Sequence, residues 1–498
     1  MNYFITLALV VIASFSSALK AEDNKFDPVF LSTLVNNIKE TAGLPSGTAV
    51  AVVYKDKLIY RGDFGYQDIE NQVAVSGNTQ FYIASTTKPF TALNYLLDAK
   101  KESDIASLTL SQMFPNIQIT GRNSVTAKHL LTHTASINNL PLVLGTAYSG
   151  QHSPKTLTGL VNELSVNSKE PVGEFKYTNV GYNIYSVFSD KFFDQSWQEK
   201  LEHQIFQPAG MLNTNAKRSA FKTQEFIAKP YSLKNLNRQA SLYLEKQDET
   251  MHAAGGMFAT SSDLAKFLTI QLNQGMLDDK QVFPSDIIEQ SQQRQVVTDK
   301  KYLDFQRDGY AWGWYTGNYK NHRMLHHFGG FAGAHAHLSF MPEQGIGLVV
   351  LNNEDFLSSR LTSLIADYVY GALLGEANVK EQVTERAKQL KAKLAGLDQM
   401  LTKERDKISS RKWNLSLALD AYVGEYKHPL LGTVLVNKND NERFDIQWGV
   451  MHSGSTGMND KDKIRVELEP TSGSVIQFNV SDKVDSLIYA GIAFTKTK

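Results

Sequence analysis

Between Val379 and Ser410 the chain becomes dense in Lys, Glu, Gln and Asp, and its apolar residues thin to a single stripe. That stripe is Val379, Val383, Ala387, Leu390, Leu394, Leu397 and Leu401. A recurrence every three or four residues is the period of a helix with one narrow apolar face. No globular core can be built around so thin a face. The stretch therefore divides the chain, and what lies on either side must bury its own apolar residues. The stripe either docks along the body of the protein or pairs with another subunit.

Before the divide, Phe26–Thr41 reads as a helix, and Gly47–Tyr60 as two strands around the polar turn at Lys55–Lys57. Phe81–Ala99 carries an apolar helical pattern. Residues from about 100 to 250 alternate helical segments with long polar loops. From Ala311 to Asn353 the pattern is strand-like, notably at His335–Phe340 and Gly345–Leu351, and a helix is expected over Leu361–Leu374. Strands at both ends with helices between them predict one α/β domain whose sheet is completed by its C-terminal strands. After Trp413, short alternating runs at Thr433–Val436, Arg443–Trp448 and Ser474–Val480 predict a small all-β barrel or sandwich. The expected layout is a signal peptide over 1–21, a catalytic domain over 22–375, a charged helical linker over 376–412 and a β-domain over 413–498.

The run Phe4–Ala18 is uncharged and apolar or small, about as long as a signal-peptide core, with small residues at Ala18 and Ala21 for cleavage. A periplasmic or secreted location is expected, with no stable membrane span after cleavage. The chain has no cysteine, which removes disulfides, thiol nucleophiles and cysteine-held zinc. Its 51 basic and 51 acidic residues balance, so there is no basic footprint for nucleic acid.

Three short elements carry chemistry. Ser85 and Lys88 are three apart on an expected helix and share a face. Pro89 fits only in a first turn, so Ser85 should stand at the helix start, where the dipole favours developing negative charge. Tyr177-Thr178-Asn179 supplies a phenol whose pKa a neighbouring cation, Lys88, is expected to lower, and an amide that can hold both the lysine and a substrate carbonyl. His327-Phe328-Gly329-Gly330 clusters glycines in a strand, which implies close approach of another backbone or a ligand. Each element has a decoy: Ser409–Lys412, Tyr319–Asn321 and His452–Gly454. There is no Gly-x-Ser-x-Gly elbow, P-loop or His-Glu-x-x-His motif. His322, His326, His327, His335 and His337 are crowded. Without nearby paired carboxylates they read as strand-surface histidines rather than a metal site.

Taken in order, the three elements resemble the serine beta-lactamase-like superfamily. It comprises class C beta-lactamases, DD-carboxypeptidases, D-aminopeptidases and beta-lactamase-fold esterases. Val125–Ala135, Ala253–Phe267 and Gly345–Asn352 are similar to further blocks of that superfamily, and the likeness runs from about Asp27 to Gly375. The resemblance implies an antiparallel sheet flanked by helices plus a helical subdomain. It implies an acyl-enzyme on Ser85, acid–base work shared by Lys88 and Tyr177, and Asn179, His327 and Gly329 as substrate-binding positions. The oxyanion hole would be formed by the backbone N–H groups of Ser85 and Gly330. No cofactor or metal is implied, and the partner is a small-molecule or peptide substrate. His327 and Phe328 stand where beta-lactamases have lysine and threonine or serine, groups that help hold a substrate carboxylate. An ester, amide or D-amino-acid peptide is therefore expected before a beta-lactam. The alternatives are a class C-type beta-lactamase, or a penicillin-binding sensor of peptidoglycan with poor turnover. Tyr422–Tyr426 and Ile488–Phe494 resemble an appended lipocalin-like domain, which would cap the site, bind a ligand or, with the linker helix, assemble a homo-oligomer.

Overall fold

Successive side chains of a strand point to opposite faces, and over Thr48–Tyr54 both sets are buried apart from the half-buried Tyr54. Such a strand needs cover on both sides. The computed structural model, which describes residues 26–117, 121–166 and 171–497, supplies it. The N-terminal segment read as a signal peptide lies outside the described residues. Strands β1 (Thr48–Tyr54), β2 (Lys57–Phe64), β3 (Phe305–Tyr310), β4 (Tyr315–Tyr319), β5 (His322–Phe331), β6 (Ala334–Met341) and β7 (Ile346–Asn352) form an antiparallel sheet. Their order is β3-β4-β5-β6-β7-β1-β2, with short strands Val296–Val297 and Lys301–Tyr302 on the outer side of β3. The two ends of the domain meet where β1 pairs β7, from Thr48↔Asn352 to Tyr54↔Ile346.

The principal helices are α1 (Pro28–Ala42), α2 (Lys88–Lys101), α3 (Val180–Phe193), α4 (Ser261–Leu272), α5 (Ser358–Leu373), α6 (Val379–Ala395) and α7 (Leu397–Ser409). Ala49, Ala51 and Val53 face a core shared with Leu264, Phe267 and Leu268 of α4 and with α2 and α3. Val50 and Val52 face a second core with Leu31, Val35 and Ile38 of α1 and Leu361 and Ile365 of α5. A fully buried Val or Leu contributes roughly 1.5–3 kcal/mol, so the two layers together hold the sheet. They also overturn one expectation: His335 and His337 are 5% and 0% exposed, not on a solvent face. The face that alternation would have left to water is roofed by α1 and α5.

Two helical expectations are corrected in detail. Phe81–Tyr82 is a strand paired with Phe258–Ala259, a 3-10 turn spans Ala84–Thr87, and α2 starts only at Lys88. The charged linker is two helices broken at Gly396, a residue whose place inside a helix is weak. Its stripe docks on its own chain: Val379, Val383, Ala387 and Leu390 are buried in the core with α1 and α5. Lys380–Asp27 and Arg386–Asp367 ion pairs, each 2.7 Å, flank that contact.

The C-terminal strands β8 (Gly424–His428), β9 (Gly432–Lys438), β10 (Phe444–Trp448), β11 (Met451–Gly457), β12 (Lys463–Glu469), β13 (Ser472–Val480), β14 (Val484–Tyr489) and β15 (Ile492–Lys496) close into a barrel in sequence order. Eight strands leave an interior that side chains can fill, and here Tyr426, Trp448, Phe444, Phe478 and Phe494 fill it. The barrel docks on the catalytic body through its turns. Val450 N donates to Ser149 O (3.0 Å), Thr433 N to Gln151 Oε1 (2.8 Å), and Tyr243 Oη to Leu468 O (2.5 Å). Among the described residues no helix is long and apolar enough to cross a membrane.

Candidate active site

Ser85 stands in the 3-10 turn at the N-terminal end of α2. The residue before it, Ala84, has φ +45°, a left-handed conformation that alanine holds only when its surroundings impose it. Ile83 N donates to Met257 O (3.0 Å) and Thr86 Oγ1 to Ile83 O (2.7 Å), which pins the turn.

Lys88, one helical step along, is wholly buried. Its Nζ lies 3.0 Å from Ser85 Oγ, 2.8 Å from Asn179 Oδ1 and 2.8 Å from Ala254 O. None of these partners is a carboxylate, and burial pushes the lysine pKa well below its ordinary 10.5, which favours the neutral amine. A neutral amine has two hydrogens and one lone pair. Asn179 Oδ1 and Ala254 O can only accept, so they take both hydrogens, and the lone pair is left for the Ser85 hydroxyl. Thr91 Oγ1, bonded to Ala253 O at 2.7 Å, fixes the segment that presents Ala254 O.

Tyr177 is 36% exposed as a whole, and the centroid of its ring lies 4.8 Å from Lys88 Nζ. Burial pushes its pKa well above 10, with Ser85 and Arg307 offsetting part of the rise. The expected lowering by Lys88 is not found: burial first, and then Tyr315 beside it, set the direction. Tyr177 therefore holds its proton.

Asn179 precedes α3, whose first turn lies directly on the helix Ala127–Leu131. A Cβ on Gly181 would sit 2.1 Å from Leu130 O, so only glycine allows this approach. Patterning gave no reason to single out His133, which organises the loop between them. Its carbonyl accepts from Lys176 N (2.8 Å), its Nδ1 accepts from Thr178 N (3.3 Å), and its ring lies 4.5 Å from that of Tyr177. The available signal was its place in Thr132-His133-Thr134, polar residues in an otherwise apolar block; all three are buried.

His327 is buried beside Tyr177 (ring centroids 6.0 Å). Its Nδ1 donates to Phe328 O (2.8 Å), since a carbonyl can only accept, so Nε2 is left as an acceptor facing Tyr310 Oη (3.4 Å). Burial, the lysine beside it and Arg307 hold its pKa well below 6.5. Phe328 points to the other face of the sheet, against Tyr302, Phe305 and His337 (4.4, 5.0 and 4.4 Å). It does not line the site, so the missing hydroxyl, and not a bulky ring, is what that position contributes.

β4 pairs β5 only as far as Tyr315↔His326, whereas β6 pairs it to Phe331. From His327 onward one edge of β5 is thus unpaired by the sheet. A Cβ on Gly329 would lie 2.1 Å from Ile83 O and 3.1 Å from Ser85 N, while Gly330 has open space around it. We expect Gly329→Ala to lower kcat/KM by at least ~10²-fold, the order of loss a 1 Å misplacement of reacting groups brings. Steady-state kinetics with circular dichroism as a folding control checks this; wild-type kinetics would show that the approach is not needed.

Ser85, Lys88, Tyr177, Asn179, His327, Gly329 and Gly330 are thus drawn together. The decoys are not: Ser409–Lys412 ends α7, Tyr319–Asn321 turns between β4 and β5, and His452–Gly454 lies in β11. No group of three or more His, Asp or Glu among the described residues is arranged to hold a metal ion. A cavity of about 540 Å³ lies between α7, Lys234–Tyr243 and the barrel, away from Ser85. Chemistry rather than volume locates this site.

A family model described as Beta-lactamase matches residues 34–367. The chain belongs to the Beta-lactamase family. It is 24% identical over 326 residues to Protein flp of Staphylococcus aureus, covering 65% of this chain but 62% of that relative, less than two thirds of its length. It is 23% identical to Penicillin-binding protein 4* of Bacillus subtilis, over 62% of this chain and 68% of that one. In fold it is similar to an octameric penicillin-binding protein homologue from Pyrococcus abyssi (TM-score 0.60, 20% identity, 95% of this chain and 100% of that one). A D-amino acid amidase from Ochrobactrum anthropi SV3 has a similar fold (TM-score 0.58, 18% identity, 69% and 99%). The second likeness covers the smaller share of this chain.

Proposed function

We propose that this family member is an exported hydrolase that forms an acyl-enzyme on Ser85 with an ester, amide or D-amino-acid peptide substrate. One observation carries the reading: Lys88 Nζ lies 3.0 Å from Ser85 Oγ and 2.8 Å from each of two oxygens that can only accept, Asn179 Oδ1 and Ala254 O. Lys88 takes the Ser85 proton as Oγ attacks the substrate carbonyl. The backbone N–H groups of Ser85 and Gly330 hold the oxyanion. The C–O or C–N bond then breaks, and Tyr177, still protonated, gives its proton to the leaving group and is reprotonated from Lys88. Water repeats the cycle on the acyl-enzyme and frees the acid. His327 and Gly329 belong to the strand along which the substrate lies, and Asn179 orients Lys88 and the substrate carbonyl.

The relatives named for penicillin binding and D-amino acid amide hydrolysis support an acyl substrate of this class. The uncharged run Phe4–Ala18 supports export to the periplasm or beyond. The filled interior of the lipocalin-like barrel supports a capping role over a ligand-carrying one. Homo-oligomerisation, for which the octameric neighbour is the support, would use α7 and the barrel, since the α6 stripe is covered by its own chain.

The test is Ser85→Ala. Turnover of a nitrophenyl ester or a D-amino acid amide is expected to fall by at least ~10⁴-fold, the scale on which a lost covalent nucleophile acts. Mass spectrometry of the wild type mixed with a slow ester should show one acyl group on Ser85. Turnover retained by the variant would sink the assignment. A stable acyl-enzyme with no release would instead mark a sensor.

A further inference from the structure

His252 is only 7% exposed and belongs to none of the elements that form the acyl-enzyme, yet its surroundings fix where its proton sits. Thr146 Oγ1 donates to Leu142 O (2.7 Å). With its one hydrogen spent, that hydroxyl accepts from Asn183 Nδ2 (3.1 Å). The amide is thereby turned so that Asn183 Oδ1 faces His252 Nδ1 (3.2 Å), and an amide oxygen can only accept. Nδ1 therefore carries the hydrogen and Nε2 keeps a free lone pair. Burial, then Lys246, then Lys88 hold the ring pKa well below 6.5, so the ring is neutral.

Nε2 makes no hydrogen bond with any described residue, and it is not among the ring nitrogens shut off from solvent, as both of His326 and both of His335 are. A Cβ on Gly255 would lie 3.2 Å from His252 Nε2 and 3.4 Å from the carbonyl carbon of Ala84. Glycine there lets the ring stand against the Ala84–Ser85 peptide, whose N–H is the one assigned above to the oxyanion. The other proton acceptors of the site are poorly placed for water. Once Ser85 Oγ is an ester oxygen, Lys88 Nζ remains enclosed by it, by Asn179 Oδ1 and by Ala254 O, and Lys88 is 0% exposed. Burial keeps the proton on Tyr177, and His327 turns its Nε2 to Tyr310 Oη.

We propose that His252 is the base for hydrolysis of the acyl-enzyme, with Asn183 and Thr146 positioning its ring. The proposal rests on the reading of Ser85 given above and assigns the proton of its second half. Nε2 takes one proton from water as the water oxygen bonds to the acyl carbonyl carbon. The oxyanion then reforms the carbonyl, the bond to Ser85 Oγ breaks, and Tyr177 gives its proton to Oγ. The acid leaves, and the proton on His252 returns to Tyr177 through solvent.

The test follows butyryl-Ser85, formed from p-nitrophenyl butyrate, by rapid quench and mass spectrometry. In His252→Gln the burst of nitrophenol, which reads acylation, is expected at the wild-type rate. Decay of the butyryl-enzyme is expected to slow by ~10²-fold or more, the range of a positioned general base. KM should fall with kcat, leaving kcat/KM in place. Hydroxylamine, a stronger nucleophile than water, should restore release. Decay at the wild-type rate overturns the proposal. Equal losses in acylation and decay, or release that hydroxylamine cannot restore, would make the ring structural and overturn it as well. Asn183→Asp supplies a second measurement. A carboxylate on Nδ1–H favours the charged ring, so the acid limb of deacylation should move to higher pH, with Lys246 and Lys88 beside the ring unchanged. A limb that stays in place overturns the proposal. Failure of the Ser85 reading shows differently, as no acyl group on Ser85 in either protein.

Discussion

Lys88→Met is expected to slow acylation of Ser85 by ~10³-fold or more, within the range attributed to a positioned general base. Lys88→Arg is expected to do the same, although it keeps a positive charge. The pair of variants separates two roles. If the lysine acts only by its charge, arginine should rescue much of the rate. If it acts by its lone pair, arginine should fail, because a guanidinium does not deprotonate in proteins. The geometry favours the lone pair, since Asn179 Oδ1 and Ala254 O consume both hydrogens of a neutral amine. The pH profile gives a second check. Burial depresses the Lys88 pKa, so the acid limb of kcat/KM should lie well below 10.5 and activity should persist at neutral pH. Methionine fills much of the lysine volume but leaves Asn179 Oδ1 and Ala254 O without a donor, so folding is followed by thermal melts in parallel. Substantial activity in Lys88→Met would move the base to Tyr177, against the raised pKa of that hydroxyl.

How far the site was legible differs residue by residue. The spacing of Ser85 and Lys88 with Pro89 beside them placed both at a helix start, and the structure puts them within 3.0 Å. Periodicity could not show that Phe81–Tyr82 is a strand, because a short apolar run looks alike in either state. The apolar stripe of the linker was plain, but its break at Gly396 was not, as a single glycine only weakens a helical pattern. His335 and His337 misled because alternation says which residues share a face and not whether that face is roofed. His133 belongs to no motif. Its importance comes from a contact across the chain, with Thr178, which no local pattern encodes.

Acidification is expected to destabilise this protein steeply below pH 6.5. Six histidines, His133, His252, His326, His327, His335 and His337, are buried, and burial depresses the pKa of each, for His335 to about 4. The folded state binds their protons less readily than the unfolded chain, whose histidines titrate near 6.5. Stability from this source is therefore complete above about 6.5 and is lost as pH falls toward the depressed values. Each histidine removes ~1.4 kcal/mol per pH unit in that window. Four acids act the other way: burial raises the pKa of Asp63, Asp190 (to about 7), Glu354 and Glu469, and these gain stability on protonation. Six histidines against four acids leave the net slope toward acid unfolding. Urea denaturation from pH 8 to 5 should show the free energy of unfolding falling, with several protons taken up. A flat profile across that range would mean that water or counter-ions keep these rings titratable while folded. His326→Leu sharpens the test, because neither ring nitrogen of His326 has a partner and its neighbours are Phe305, Tyr315 and Phe328. That variant should be as stable as the wild type or more so at pH 7.5. It should also lose one proton's worth of the acid slope, which a purely steric role for the ring would leave untouched.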